Sequence, residues 1–137
     1  GGRPSDPWEA AFCYLLWTDE RKRAEVEPAR ALELLSEEGA KFVALSILSE
    51  DSTEELRSRW AEAGDDYPMR LISTGWGHCA KNGEREDMWD IVLSALETMR
   101  SKDRFDALRE KHARGEASPE EMREYLELAR KLKRRDR

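Results

Sequence analysis

Few side chains in this 137-residue chain have the types and spacing to do chemistry. There are two histidines and two cysteines, and only His78 and Cys79 stand together. A zinc site needs four ligands, or three and a water. Cys13 would have to join the pair from the far end of the domain to supply even three. A cysteine nucleophile needs a base within hydrogen-bond reach of its thiol, and neighbours in sequence seldom face each other. Gly75-Trp76-Gly77 has neither the GxGxxG nor the GxxxxGK(S/T) spacing that lets backbone amides cradle phosphate. It reads as a helix break with Trp76 folded onto the core. Carboxylates are abundant, but they alternate with Arg and Lys three and four residues away, the pattern of a solvated helix face. No catalytic residue, no metal and no cofactor is expected, and the chain reads as a protein-interaction domain rather than an enzyme.

Composition narrows the class further. Apolar and charged residues each make up 39% of the chain, which suits a helical protein with much surface. The formal charge is −6, so attraction of the whole molecule to nucleic acid is not expected. The charge is uneven: residues 1–100 hold 12 Lys/Arg against 21 Asp/Glu, and residues 101–137 hold 12 against 9. The terminal Lys-Leu-Lys-Arg-Arg-Asp-Arg run reads as compensation of a helix dipole or as a protein contact, with no direct nucleic-acid partner. No apolar run approaches the roughly 18 residues that a membrane span requires. No signal peptide is apparent. Cys13 and Cys79 read as free thiols of a cytoplasmic protein. Gly1-Gly2 reads as a cut linker, so the chain is expected to be part of a longer protein.

The elements that would position a surface are helices. Asp6, Pro7 and Glu9 read as an N-cap, an N1 proline and a capping-box acid, followed by Trp8, Phe12, Leu15 and Leu16 at helical spacing. Asp19 to Ala24 reads as a charged connector. Pro28 opens a helix carrying Leu32 and Leu35, with Gly39 as its C′ residue. Residues 40–49 form an apolar run, read as helix because every neighbour is helical. The alternative is a strand pairing with Met69–Ser73 in a β-α-β unit. Ser52 to Glu55 is a capping box leading to Leu56, Trp60 and a stop at Gly64. Asp65 or Asp66 caps a short helix through Tyr67, Met69, Leu71 and Ile72. The five tryptophans (Trp8, Trp17, Trp60, Trp76, Trp89) read chiefly as core anchors.

After Asn82-Gly83 the pattern lengthens. Met88, Ile91, Val92, Ala95, Leu96 and Met99 hold one stripe, and the helix is predicted to run from about residue 84 to 114. At about 1.5 Å per residue it would be roughly 45 Å long, whereas a body of about 100 residues is roughly 35 Å across. The helix is therefore expected to overhang. Ser118-Pro119-Glu120-Glu121 is the clearest helix start in the chain. It leads to a stripe of Met122, Tyr125, Leu126, Ala129 and Leu132. The expectation is an all-α fold: a helical bundle over residues 1–100, then a long helix folding back as a C-terminal helical hairpin over residues 101–137.

Two stretches carry a resemblance. Met88-Trp89-Asp90 through Arg137, with RFDALREKHARGEASPEEMREYLELARKLKRR within it, is similar to the end of bacterial DnaG-type DNA primases. There a long Glu- and Arg-rich helix, a turn of the form Gly-x-x-Ser/Thr-x-Glu-Glu and a Leu-rich helix ending in Lys or Arg follow one another. Upstream, ARALELLSEEGAKFVALSILSEDSTEELRSRW resembles the family's middle helices. The resemblance implies the helicase-binding C-terminal domain of a primase, with six or seven helices. Such a domain docks on the N-terminal collar of the hexameric DnaB-type replicative helicase and holds primer synthesis at the fork. The primase itself would be a nucleotidyltransferase whose active site lies outside this stretch. The implied helicase-binding positions are Met122, Tyr125, Leu126, Ala129, Arg130, Lys133 and Arg134. The implied groove for the acidic tail of the single-stranded DNA-binding protein involves Arg70 and Leu71 ahead of Trp76, across a spacing longer and richer in Gly than the family's. A monomer is expected. The alternatives are a helicase N-terminal-type oligomerisation domain, which would form rings, and a small α/β enzyme built on the β-α-β reading.

Overall fold

A computed structural model describes residues 6–50, 52–83 and 85–135. Every regular element among them is an α-helix: α1 (Pro7–Thr18), α2 (Glu20–Glu25), α3 (Pro28–Leu34), α4 (Glu38–Ser49), α5 (Thr53–Glu62), α6 (Tyr67–Lys81), α7 (Met88–Ala113) and α8 (Pro119–Arg135). The β-α-β alternative for residues 40–75 is thereby excluded. α4 buries Ala40, Val43, Ala44 and Ile47, a spacing of three and four that only a helix can turn to one side. The chain divides into two compact units, Gly1–Leu96 and Glu97–Arg137, with the boundary inside α7.

In the first unit α1 lies at the centre, packed mainly on α6 and also on α4 and α2. Ala10, Ala11, Phe12, Cys13 and Leu16 of α1 are fully buried. Trp8 meets the His78 ring edge-on at 4.4 Å, and Gly75 faces Ala10 and Tyr14, so α1 and α6 run antiparallel. The first turns of α7 complete this core with Met88, Val92 and Leu96, and Trp89 stacks on Phe12 at 5.4 Å. Trp60 is buried and stacks on Trp17 at 5.5 Å.

Several local expectations are corrected. Asp19 to Ala24 is not a connector, because α2 fills it. The Asp19 carboxylate accepts from the Arg21 amide at 2.9 Å and pairs with Lys22, while Arg23 donates to the Leu16 and Trp17 carbonyls at the end of α1. This added helix raises the count to eight among the described residues. α3 ends at Leu34, Leu32 points to solvent, and Gly39 lies inside α4 against the Tyr67 hydroxyl instead of closing α3. α7 starts at Met88, after a turn over residues 86–87. The helix predicted to break at Gly75-Trp76-Gly77 runs unbroken to Lys81, and Trp76 is 56% exposed rather than folded onto the core.

Gly75 is what makes that continuity useful. A Cβ at this position would overlap the Ala10 carbonyl, a backbone atom that cannot step aside. Gly77, two residues on, has open space where a Cβ would go. The two glycines therefore predict opposite outcomes. Gly75→Ala should lose about 1–3 kcal/mol by forcing α1 and α6 apart. Gly77→Ala should gain up to about 1 kcal/mol from helix propensity. Equilibrium urea unfolding of the two variants checks both signs.

A C-terminal helical hairpin as candidate interaction site

The second unit pairs the last turns of α7 with α8. The turn between them is set by local chemistry. Gly115 has a φ of 70°, its amide donates to the His112 carbonyl, and the Glu116 amide donates to the Lys111 carbonyl at 2.9 Å. This is the paired C-terminal cap that glycine in a left-handed conformation allows. Ser118 and Glu121 then cap α8 reciprocally. The Glu121 amide donates to Ser118 Oγ at 3.1 Å, and the Ser118 amide donates to Glu121 Oε1 at 3.0 Å.

The seam between the helices is thin. Leu108, at 1% exposure, is its one buried side chain, and α8 buries none. Phe105 and Tyr125 stack at 4.8 Å with ring planes 9° apart. Polar ties supply the rest. Arg104 grips Glu124 with two hydrogen bonds of 2.9 and 3.0 Å, Lys111 meets Glu121 at 2.6 Å, and Arg135 contacts the Thr98 hydroxyl. Lys111, with help from the Ser118 amide, holds the Glu121 carboxyl down at about 2. Arg104 likewise lowers the Glu124 carboxyl, and Glu124 raises the Arg104 guanidinium.

The residues implied as helicase-binding all lie on α8, but they do not form one face. Tyr125 turns into the seam against Phe105. Met122 and Ala129 are half-buried, while Leu126 is 49% exposed. At 3.6 residues per turn, Leu126 has Met122 and Ala129 on one flank and Arg130 on the other, with Lys133 two turns on. Arg130, Lys133 and Arg134 are exposed, and Arg134 sits further round the helix. Leu128 and Leu132, outside the implied set, are half-buried beside Tyr125.

Arg70 and Leu71 do not form a surface pair. Leu71 is 2% exposed and belongs to the core, because it lies on the α6 face that packs on α1. Arg70 points outward and pairs with Asp66 at 3.2 Å. The recess near it is a cavity of about 310 Å³ at the corner of α5 and α6, lined by Trp60, Met69, Gly64 and Asp66 with Arg57 at its rim.

His78, Cys79 and Cys13 form no reactive group. Both thiols are buried, and Cys13 Sγ lies 3.6 Å from the Ala40 carbonyl oxygen. Burial, with the charges of Glu9 and Glu37, pushes the Cys13 thiol far up, away from thiolate. The His78 imidazole rests on Trp8, and burial lowers its pKa. One carboxylate group unremarked in the sequence does converge: ligand atoms of Asp6, Glu9 and Glu37 lie within 4.8 Å of one another. Their oxygens already accept backbone amides. Asp6 caps Trp8 and Glu9, and Glu37 takes the Asp6 amide. Glu9, 1% exposed, takes the Ser36 and Glu37 amides at 2.8 and 3.0 Å and the Ser36 hydroxyl at 2.7 Å. The expected capping-box return from Glu9 to Asp6 is thus replaced by a tie between α1 and the start of α4.

No helix among the described residues is long and apolar enough to cross a membrane. No family model, curated protein or solved structure matches the chain.

The seam generates two predictions. Tyr125→Ala should loosen α8 by about 1–2 kcal/mol, through the lost stack and its area. Native-state hydrogen exchange should show faster exchange in α8 and unchanged exchange in α1 and α6. Glu121 has its carboxyl pKa lowered from 4.5 to about 2, so it stabilises the hairpin above pH 4.5, and that contribution is lost as pH falls toward 2. Glu121→Gln should weaken α8 at neutral pH and flatten its pH dependence in that window, as read by helicity on acid titration.

Proposed function

We propose that this chain is a helicase-docking domain of a bacterial DnaG-type primase, a cytoplasmic adaptor that brings primer synthesis to the replicative helicase. The observation that carries the reading is the thinness of the hairpin. A two-helix unit that buries one side chain fully and leaves Leu126 half open has little to offer as a folded end in itself. It makes sense as an element whose apolar edge another protein covers. The order of elements, a helical bundle followed by a long helix and a capped hairpin, agrees with what the resemblance implies. The turn of the form Gly-x-x-Ser-x-Glu-Glu falls at the hairpin bend, with Gly115, Ser118 and Glu121 each in a capping role.

A second contact, with the acidic tail of a single-stranded DNA-binding protein, is favoured by the α5–α6 cavity more than by Arg70 and Leu71. Trp60 and Met69 give it an apolar wall, and Arg57, whose guanidinium lies 5.7 Å from the Trp17 ring centroid, is the cation of its lining.

Titration calorimetry with the hexameric replicative helicase tests the main reading. Saturable binding below high micromolar concentration, with this chain monomeric beforehand, is the expected result. No heat and no co-elution at that concentration would sink it. A stable ring or dimer of this chain alone would transfer the reading to a helicase N-terminal-type domain.

A further inference from the structure

We propose that the partner element received by this hairpin is an acidic amphipathic helix, anchored by an apolar side chain on Leu126 and steered by Arg123, Arg130 and Lys133. The proposal rests on the docking reading of the hairpin and adds the partner's chemistry and the residue that anchors it.

Three observations within the second unit meet at this strip. Leu126 is the one large apolar residue among the unit's described residues that the fold leaves half open. Its neighbours one turn away divide by chemistry. Met122 and Ala129, on the seam side, extend the apolar patch, and Arg123 and Arg130 fence the other side, with Lys133 ahead. Among the described residues, none of these three cations pairs with a carboxylate, although Arg104, Arg109, Lys111 and Arg114 nearby all do. Lys102, Lys131 and Arg134 also show no carboxylate partner among the described residues; what sets Arg123, Arg130 and Lys133 apart is their place beside the open Leu126. No carboxylate stands at three or four residues from Leu126, and Glu127, beyond Arg123 and Arg130 on the same flank, is the one carboxylate beside the strip, which stays net positive.

That combination selects a class of occupant. One apolar anchor of about a leucine's area is too little to hold a helix in a bilayer interface, where binding scales with buried apolar area. The unit as a whole carries ten carboxylates against thirteen Lys/Arg, which leaves little net field to gather a nucleic-acid backbone. A protein helix with one apolar residue flanked by Asp or Glu satisfies the leucine and the cations together. The cations then set register and on-rate and the leucine sets residence. Tyr125 is a positioning residue in this scheme. It fixes α8 on Phe105 and does not touch the partner.

The probe is a pair of synthetic amphipathic helical peptides of Leu with Glu and Leu with Lys, added to the isotope-labelled full chain. Anionic phospholipid vesicles and a single-stranded oligonucleotide form separate arms. The Leu-Glu peptide should shift the signals of Leu126, Ala129 and Arg130, weaken with added salt, and lose about tenfold in affinity with Leu126→Ala, the scale of one anchor residue. Arg130→Glu should lose at least as much, and Tyr125→Phe should bind as wild type. Because Leu126 is exposed, its variant keeps the fold, and wild-type shift mapping gives the answer without it. Shifts centred away from Leu126, equal binding of the Leu-Lys peptide, or preferred occupation by vesicles or oligonucleotide would each overturn the proposal. If the helicase binds but the Leu-Glu peptide does not reach Leu126, this inference fails and the docking reading stands. If the peptide binds at Leu126 and the helicase does not, the reverse holds.

Discussion

The first unit depends on how closely α6 lies against α1. At Ala10 and Gly75 the two helices come to backbone contact, and that is open only to a residue without a Cβ. Because α6 continues through this point, its far end carries Cys79 into the core and lays His78 on Trp8. Its near end sets Tyr67 against Gly39 of α4. One contact thus fixes the approach of α1, α4 and α6, and α7 closes the core with Trp89 on Phe12. The buried Glu9 carboxylate serves the same arrangement by a different force. It satisfies amides at the start of α4 that no helix could satisfy for itself. A carboxylate this deeply buried is tolerated because three donors replace its lost water.

The hairpin is held on another principle. Its apolar core is close to the minimum, so charge and caps decide its geometry. The bidentate Arg104–Glu124 pair and the Lys111–Glu121 pair lie at successive levels along the seam, and Glu121 also closes the capping box. Exposed ion pairs contribute little energy each. Their directionality instead sets the register of α8 on α7, a task the single buried Leu108 leaves open. Such a unit is well defined yet cheap to perturb, which suits a surface that another protein completes.

How much of this was legible depended on whether the deciding contact was local. Ser118 with Glu121, and Ser52 with Glu55, cap their helices within three residues, and their sequence signals translated directly into structure. The helical spacing of Ala40, Val43, Ala44 and Ile47 distinguished helix from strand once burial was known. The failures came where a partner distant in sequence decided. Gly75 reads as a breaker until Ala10 is seen beside it. Glu9 reads as a capping-box acid until Ser36, 27 residues away, claims it. Leu71, a groove residue by the resemblance alone, is buried by the packing of α6 on α1. Gly39 reads as a C′ residue until Tyr67 is seen beside it. Asp19–Ala24 is a different case, since the Asp19 cap on Arg21 and the Arg23 hydrogen bonds to Leu16 and Trp17 that form α2 are all local.

The α8 stripe shows why periodicity can find an amphipathic helix and still misjudge which of its residues are covered. Residues at i, i+3, i+4 and i+7 span an arc wider than the seam that one neighbouring helix can cover. The arc is therefore shared. Tyr125, Leu128 and Leu132 take the side that faces α7, and Leu126 is left at the edge with Met122 and Ala129 between. A sequence gives the width of the arc but not its orientation, because orientation is fixed by residues on the other helix, here Phe105 and Leu108. Tyr125, which helps to build the hairpin, and Leu126, which is left open, are consequently neighbours in sequence and differ by about 100° around the axis. If the hairpin docks a partner as proposed, loss of binding on substituting Tyr125 and loss on substituting Leu126 would therefore have different physical origins, the first through the stability of α8 and the second at the contact itself.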